Sequence, residues 1–195
     1  KNKNLYLRVK GDMCIHAYVP FLTTKTEVKK IINENENSIK KMITMANKEN
    51  EKKQYFYLLG KKYDITILNT ANTPIFDEER IFIKNKSILE KYKRVVAEKI
   101  FKERLEYCYN LFEEKIYFPD LIIRKMKRKW GHCNKGTCTI TLNLDLISYG
   151  IDEIDYVIIH ELCHLVYFNH SKNFWNLVKK YKPNYKLNKK VLKEE

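Results

Sequence analysis

Residues 151–165 read IDEIDYVIIHELCHL and contain the pattern H-E-x-x-H at His160, Glu161 and His164. Apolar side chains recur through this stretch at helical spacing, and Gly150 marks its start, so we predict an amphipathic helix. Two residues four apart lie one turn from each other on the same helix face, so both imidazoles can reach one Zn²⁺ ion. Glu161 follows the first histidine and can lean toward an open coordination position, where a carboxylate accepts a proton from water.

A third ligand is expected downstream of this helix. His170 lies six residues after His164, the interval at which metzincins place a third histidine once a glycine has broken the helix. No glycine stands at that position here, so we expect the helix to end at Asn169, which tolerates a positive φ. Glu153 and His132 are alternative ligands, although Glu153 comes too early on the same helix. The pattern predicts one zinc ion held by His160, His164 and His170.

Four short motifs follow one another in the C-terminal half of the chain. They are WGHC at 130–133, LNL at 142–144, DYVIIHELCHL at 155–165 and NHSxxFW at 169–175. Together they resemble the YgjP-like metal-dependent hydrolases, a group of zincin-like metallopeptidases related to the SprT and WLM groups. The resemblance implies that the three histidines bind zinc and that Glu161 is the catalytic base. The family usually has serine where this chain has His132, so a contact of that imidazole to substrate or metal is a further hypothesis.

The order of the predicted elements indicates an α+β fold, because strands surround the helices without regular βαβ alternation. The resemblance implies a zincin-like form of it. We expect a small antiparallel or mixed sheet packed on a long helix and on the H-E-x-x-H helix, with N-terminal β-hairpins. We divide the chain into a hairpin and helix region, residues 1–86, and a catalytic region, residues 87–195, and expect the two to form one compact unit.

The N-terminal elements are predicted from turn residues, apolar alternation and a capping box formed by Thr24 and Glu27. The capping box opens a long amphipathic helix, and Gly-containing turns join the strands in pairs. The predicted elements are strands at Leu5–Lys10 and Met13–Val19 around Gly11-Asp12, a helix at Thr26–Lys48, strands at Tyr55–Leu59 and Lys62–Leu68 around Gly60, and a weaker strand at Phe76–Ile83.

The C-terminal elements are a long helix, two strands and the helices around the metal motif. A second capping box, Ser87 with Glu90, opens the long helix, which we expect to reach about Lys115. Thr137–Leu144 alternates strictly between apolar and polar residues, which predicts a half-buried strand. The other predicted elements are a strand at Leu121–Met126 and a helix at Ser171–Tyr181.

The composition is that of a folded protein, because 44% of the 195 residues are hydrophobic and 32% are charged. The longest apolar run is far shorter than the ~20 residues of a membrane span. The first residues lack the apolar segment of a signal peptide. Five scattered cysteines then predict reduced thiols and a cytoplasmic location. Cys133 and Cys138 form a C-x4-C pair, but no two further zinc ligands lie near it.

The charge is strongly positive, with 38 Lys and Arg against 24 Asp and Glu and a formal net charge of +14. Such a field favours anionic partners, although lysine is also the usual residue of a solvated face. Basic side chains concentrate in residues 124–129 and 172–193, which flank the metal motif in sequence. We expect these two segments to form one positive surface beside the metal cleft.

Three functions fit these patterns. By resemblance the protein is a zinc metallopeptidase, whose extended peptide substrate would pair with the strand Thr137–Leu144. An alternative is a zinc hydrolase of nucleoside triphosphates or other phosphorylated substrates, drawn by the basic segments. A non-enzymatic alternative is a nucleic-acid-binding module with structural zinc, in which Trp130 and Trp175 stack on bases. The candidate substrate-binding residues are His132, Trp130, Asn143, Arg124 and Arg128.

Overall fold

The computed structural model describes residues 5–9, 14–52 and 54–193, without the side chains of residues 48–52. The chain divides into two compact units, Lys1–Tyr55 and Phe56–Glu195. The boundary predicted between residues 86 and 87 lies inside the second unit, because strands that precede it share one apolar cluster with the long helix that follows it. That cluster contains Phe56, Ile81, Ile83 and Leu89.

A short hairpin opens the first unit. β1 (Tyr6–Val9) and β2 (Ile15–Tyr18) are antiparallel, as their alternating sequence predicts. The rings of Tyr6 and Tyr18 lie opposite each other in the register and stack with centroids 4.6 Å apart. The turn predicted at Gly11-Asp12 lies outside the described residues.

Two helices, α1 (Lys25–Glu34) and α2 (Glu36–Lys52), replace the single helix predicted from Thr26 to Lys48. The chain breaks at Asn35, whose side-chain Nδ2 donates a 2.9 Å hydrogen bond to the carbonyl of Ile31. An asparagine that bonds the carbonyl four residues back competes with the backbone hydrogen-bond pattern of a helix. The capping box predicted at the start of α1 is confirmed.

A four-stranded mixed sheet follows, with the order β3-β4-β6-β5. Its strands are β3 (Tyr55–Leu58), β4 (Lys61–Ile67), β5 (Ile75–Phe76) and β6 (Arg80–Ile83). The predicted hairpin at Gly60 is confirmed, and both turn residues, Leu59 and Gly60, have the positive φ of a type I′ turn. The single strand predicted at Phe76–Ile83 is instead two strands, because the Asp77 side chain accepts two backbone hydrogen bonds in a tight turn between them.

The long helix α3 (Lys86–Asn110) supports both sheets of the second unit. Its N-cap is Asn85, whose side chain accepts the N–H of Ile88 at 3.1 Å, so the capping box predicted at Ser87 is wrong. The helix also ends five residues before the predicted Lys115. Its buried residues are Leu89, Lys93, Ala97, Phe101, Leu105 and Cys108.

A three-stranded sheet, with the order β7-β9-β8, lies beside the metal motif. Its strands are β7 (Asp120–Arg124), β8 (Gly131–Asn134) and β9 (Thr139–Asn143), with β9 parallel to β7 and antiparallel to β8. β8 was not predicted. β9 was predicted to be half-buried, but its last four residues are all buried. β9 is the central strand of this sheet, and at its end Asn143 holds the loop between Met126 and Lys129 by hydrogen bonds.

The remaining helices are α4 (Ile151–Val166), α5 (Lys172–Tyr181) and α6 (Tyr185–Val191), preceded by a 3₁₀ turn at Leu144–Ser148. Side chains of α3, β9, α4 and α5 form one buried apolar core. α4 carries the metal motif and ends at Val166, three residues before the predicted end at Asn169. No described helix is long and apolar enough to cross a membrane.

Candidate metal centre

Three histidines converge at the C-terminal end of α4. His160 and His164 lie one turn apart on that helix, with ring centroids 5.0 Å apart. His170 lies in the connection to α5, and its Nε2 is 3.1 Å from Nε2 of His160. One ring nitrogen from each histidine lies within 4.8 Å of the other two. Within the described part of the chain, this is the group of side chains that could hold a metal ion.

The connection between α4 and α5 returns His170 to the helix without any left-handed residue. Tyr167 is extended, with φ −116° and ψ 115°, and its N–H donates to the carbonyl of Cys163. Ser171 then caps α5 by accepting the N–H of Phe174. The Phe174 ring is fully buried and packs against all three imidazoles, with the His164 centroid 4.5 Å away. The cluster is therefore supported by an apolar floor.

One pair of these nitrogens has the spacing expected around a tetrahedral cation. Two nitrogens that each lie ~2.0–2.1 Å from a tetrahedral ion are roughly 3.3 Å apart, close to the 3.1 Å between His160 and His170. His164 places Nδ1 3.2 Å from the carbonyl oxygen of Tyr167. Since that oxygen can only accept, Nδ1 carries the proton and the other ring nitrogen keeps its lone pair. His160 Nδ1 is buried and has no hydrogen-bond partner among the described residues.

Burial also favours the neutral, metal-binding form of the imidazoles. The pKa of His160 is lowered to about 3, chiefly by desolvation and to a smaller extent by the neighbouring His164, His170 and Lys189. Desolvation likewise lowers the pKa of His164, although backbone hydrogen bonds partly oppose the shift. A neutral imidazole presents a lone pair and is the form that coordinates a metal.

Glu161 is buried beside the cluster, with 6% of its surface exposed. Burial raises the pKa of this carboxyl to about 8, while the Lys129 charge and a backbone hydrogen bond from Cys133 act in the opposite direction. Such a carboxyl exchanges a proton readily near neutral pH, as a general base must.

Gly131 lets β8 approach that carboxylate. A Cβ atom at this position would lie 2.6 Å from Oε1 and 2.8 Å from Cγ of Glu161, closer than real Cβ atoms come. Gly131 belongs to the WGHC motif at 130–133, but no role for it was predicted from the sequence. The isolated glycine between Trp130 and His132 was the available signal, since glycine in a strand often marks a close backbone approach.

A cavity of about 620 Å³ opens over the cluster. β8, α4 and the end of α6 form its walls, and all three histidines and Glu161 reach its surface. β8 is an edge strand: it pairs with β9 on one side, and no other described strand pairs with it. A substrate in this cavity would therefore meet the three imidazoles, the carboxylate and the edge of β8 together.

Comparison with known proteins agrees with this architecture. The sequence profile of the YgjP-like metallopeptidase domain matches residues 3–195. The chain belongs to this family. It is thus a metallopeptidase-type hydrolase, and family membership implies a divalent metal.

Two solved structures of archaeal proteins are similar to this YgjP-like chain. The metallopeptidase zymogen of Pyrococcus abyssi abylysin is 26% identical, with a TM-score of 0.44, over 47% of this chain and 90% of that one. The metallopeptidase zymogen of Methanocaldococcus jannaschii jannalysin is 26% identical, with a TM-score of 0.37, over 49% of this chain and 84% of that one. A search of curated proteins found no match.

Three of the five predicted substrate-binding residues line the cavity of the YgjP-like domain, namely His132, Trp130 and Arg128. Asn143 has a structural role instead, because its buried amide bonds the backbone of Met126 and Lys129. Arg124 ends β7 on the far side of β9 and is not part of the described lining.

Both basic segments reach the cavity. Arg128 and Lys129 come from the first segment, and Lys189 and Lys193 from the second. Trp130 follows the first segment, and its indole N–H donates a 3.0 Å hydrogen bond to the carbonyl of Leu192 in the second, which brings the two segments together. The predicted shared surface is therefore present at these four residues. Other basic residues pair elsewhere: Lys125 with Glu90, Lys180 with Glu113 and Glu114, and Lys182 with Asp152.

Proposed function

We propose that this YgjP-like protein is a zinc-dependent peptidase. In this proposal His160, His164 and His170 hold one zinc ion, and Glu161 is the general base. The observation that carries it is the convergence of three imidazole nitrogens beside a buried carboxylate at the surface of an open cavity. Nitrogen donors in this number suit a catalytic Zn²⁺ site, which keeps a position open for water.

The metal site is prearranged by this chain's own contacts. Bound zinc supplies a Lewis acid that lowers the pKa of water and polarises a carbonyl group. Three neutral imidazoles add no negative charge that would weaken it. The carbonyl of Tyr167 orients His164, while the Trp175 ring stacks on His170 at 5.6 Å between centroids. These contacts hold the ligand rings in place before substrate arrives.

Glu161 would move the proton. One carboxylate oxygen accepts a proton from the attacking water, and the same carboxyl then donates it to the nitrogen of the departing amine. Burial supports this role because it stabilises the protonated carboxyl between the two steps. The close approach of Gly131 limits where the carboxylate can move.

The peptide would bind along β8 rather than β9. The expectation that Thr137–Leu144 receives the substrate is corrected by the strand order, since β9 is hydrogen-bonded on both sides. β8 (Gly131–Asn134) lines the cavity and is an edge strand, so its outer backbone groups can pair with an extended peptide. Pairing through backbone groups requires no particular substrate sequence.

Neither alternative function gains support from a specific contact among the described residues. A structural zinc site normally has four protein ligands, whereas this cluster has three and adjoins a buried Glu161. The positive lining of the cavity attracts phosphorylated compounds and acidic peptides alike, so it does not favour nucleoside triphosphates over peptides.

The test is Glu161→Gln, which keeps the shape of the side chain but cannot accept the proton. We expect one zinc per chain and an unchanged circular dichroism spectrum, with peptide hydrolysis reduced ~10²–10⁴-fold. Cleavage of a peptide mixture is followed by mass spectrometry, and zinc content by elemental analysis. Full activity of the zinc-loaded variant would place the base elsewhere. Turnover of nucleoside triphosphates without any peptide cleavage would overturn the peptidase proposal.

A further inference from the structure

The walls of the cavity carry an unbalanced charge. Of the described residues that line it, five are Lys or Arg and one, Glu161, is acidic. Arg128, Lys129 and Lys193 make no ion pair with any described residue. Glu194 and Glu195 lie outside the described residues. Since Glu161 serves the proposed chemistry, the cations around it are available to a ligand.

These cations lie at both ends of β8. Arg128 and Lys129 precede the strand by two or three residues, and Lys135 follows it directly. The Lys135 ammonium lies 3.4 Å from the carbonyl of Val166, so it is held at the end of α4. A four-residue strand is ~13 Å long, since each residue rises ~3.3 Å. An extended peptide paired with β8 would therefore pass a positive charge on either side of its centre.

Two contacts fix further positive charge, one at the first of these ends and one beside the Trp175 ring that stacks on His170. The bond from Trp130 to the carbonyl of Leu192 places Lys193 beside the loop that carries Arg128 and Lys129. The Lys189 ammonium lies 4.6 Å from the centroid of the Trp175 ring. Such a cation–π contact restrains a lysine without neutralising it.

We propose that this cleft selects peptides that carry Asp or Glu on both sides of the scissile bond, two to three residues away from it. The inference rests on the proposed peptidase function. An acidic peptide fits better than a nucleic acid because the same cleft offers a strand edge for a peptide backbone. Glu161 meets β8 at Gly131 and Cys133, so the scissile bond would face the middle of the strand. From there each end of the strand is ~6–7 Å away, which corresponds to about two residues of an extended peptide.

Peptide binding tests this selectivity without requiring turnover. Fluorescent peptides of about ten residues, long enough to extend past both ends of β8, are titrated against zinc-loaded Glu161→Gln protein, and anisotropy is measured. One peptide carries Glu on both sides of an apolar centre, and its partner carries Gln at the same positions. We expect the acidic peptide to bind ~10-fold more tightly, and the difference to shrink with added salt as screening shortens to ~3 Å at 1 M.

A matched pair of variants locates the effect. Arg128→Gln/Lys193→Gln removes two cations from the cleft, and Lys99→Gln/Lys102→Gln removes two exposed cations from α3. The first pair should reduce the preference for the acidic peptide about threefold to tenfold, and the second should leave it within about 1.5-fold. Equal effects of both pairs, or equal binding of the two peptides, would overturn the inference.

A peptide-cleavage experiment with the native protein distinguishes failure of this inference from failure of the proposed function. If the native zinc-loaded protein cleaves peptides without enrichment of Asp or Glu around the cut sites, the selectivity is wrong and the peptidase proposal stands. If it cleaves nothing while the binding preference holds, the peptidase proposal fails and the acidic-ligand site stands. Tighter binding of a single-stranded oligonucleotide than of the acidic peptide would overturn the choice of peptide as ligand.

Discussion

At position 131 the chain has room for a hydrogen atom and nothing larger. Gly131→Ala should push the Glu161 carboxylate aside, because the added methyl group would lie 2.6 Å from Oε1. Misplacing a catalytic group by about 1 Å costs on the order of 10²-fold in rate, so we expect hydrolysis to fall about 10- to 100-fold. Zinc content should not change, because the three atoms nearest to the added carbon all belong to Glu161 and none to a histidine.

Gly136→Ala is the matched control, in the turn that follows β8. There the added Cβ would meet only Asn134 Oδ1, at an ordinary 3.4 Å. We expect native hydrolysis rates and native zinc content from this variant. Equal losses of activity in both alanine variants would show that loop rigidity matters and that the contact with Glu161 does not.

At the scale of elements, an ion pair joins α3 to the metal-site helix α4. Arg104 donates two hydrogen bonds of 2.7 Å to Asp155, and the two side chains are 24% and 10% exposed. Arg104→Met should lower the free energy of unfolding by about 2–4 kcal/mol, because it leaves a nearly buried carboxylate without its partner. Urea denaturation followed by circular dichroism measures this loss.

Two further variants define the cause of that loss. Lys125→Met removes an ion pair with Glu90 that is more than half exposed, and should cost less than ~1 kcal/mol. Arg104→Met/Asp155→Leu removes both charges and should regain much of the stability, since no unpaired charge stays buried. A single Arg104→Met change as mild as Lys125→Met would contradict the assigned role of the pair.

At the scale of the whole molecule, the proposed zinc ion ties α4 to the segment that leads into α5. Free zinc at 100 times its dissociation constant should stabilise the native chain by about 2.7 kcal/mol. For a chain of this length that corresponds to a rise in Tm of about 5–10 °C. Thermal unfolding with zinc or with a chelator measures the rise.

Histidine variants test which side chains account for that rise. His170→Ala should abolish most of it, because one of three nitrogen donors is lost. His132→Ala is the control, since His132 lines the same cavity but is not part of the three-histidine group. A rise that survives His170→Ala unchanged would remove His170 from the proposed ligands.

Local patterns in the sequence were enough to predict the candidate metal site of this protein. The i, i+4 spacing of His160 and His164, the downstream His170 and the adjacent Glu161 are readable without a structure, because a helix puts its own neighbours one turn apart. The capping box of α1 and the turn at Gly60 are local in the same sense. The α+β class followed from the order of such elements.

Tertiary structure decided how the site is enclosed. β8 could not be predicted from the sequence, because its His, Cys and Asn side chains favour strands only weakly. Pairing with β9 stabilises it instead. Gly131 meets Glu161 across 30 positions of sequence, and Trp130 meets Leu192 across 62. Asn143 became a loop anchor, whereas its sequence pattern suggested substrate contact. Such contacts depend on long-range packing, which no local spacing of residues encodes.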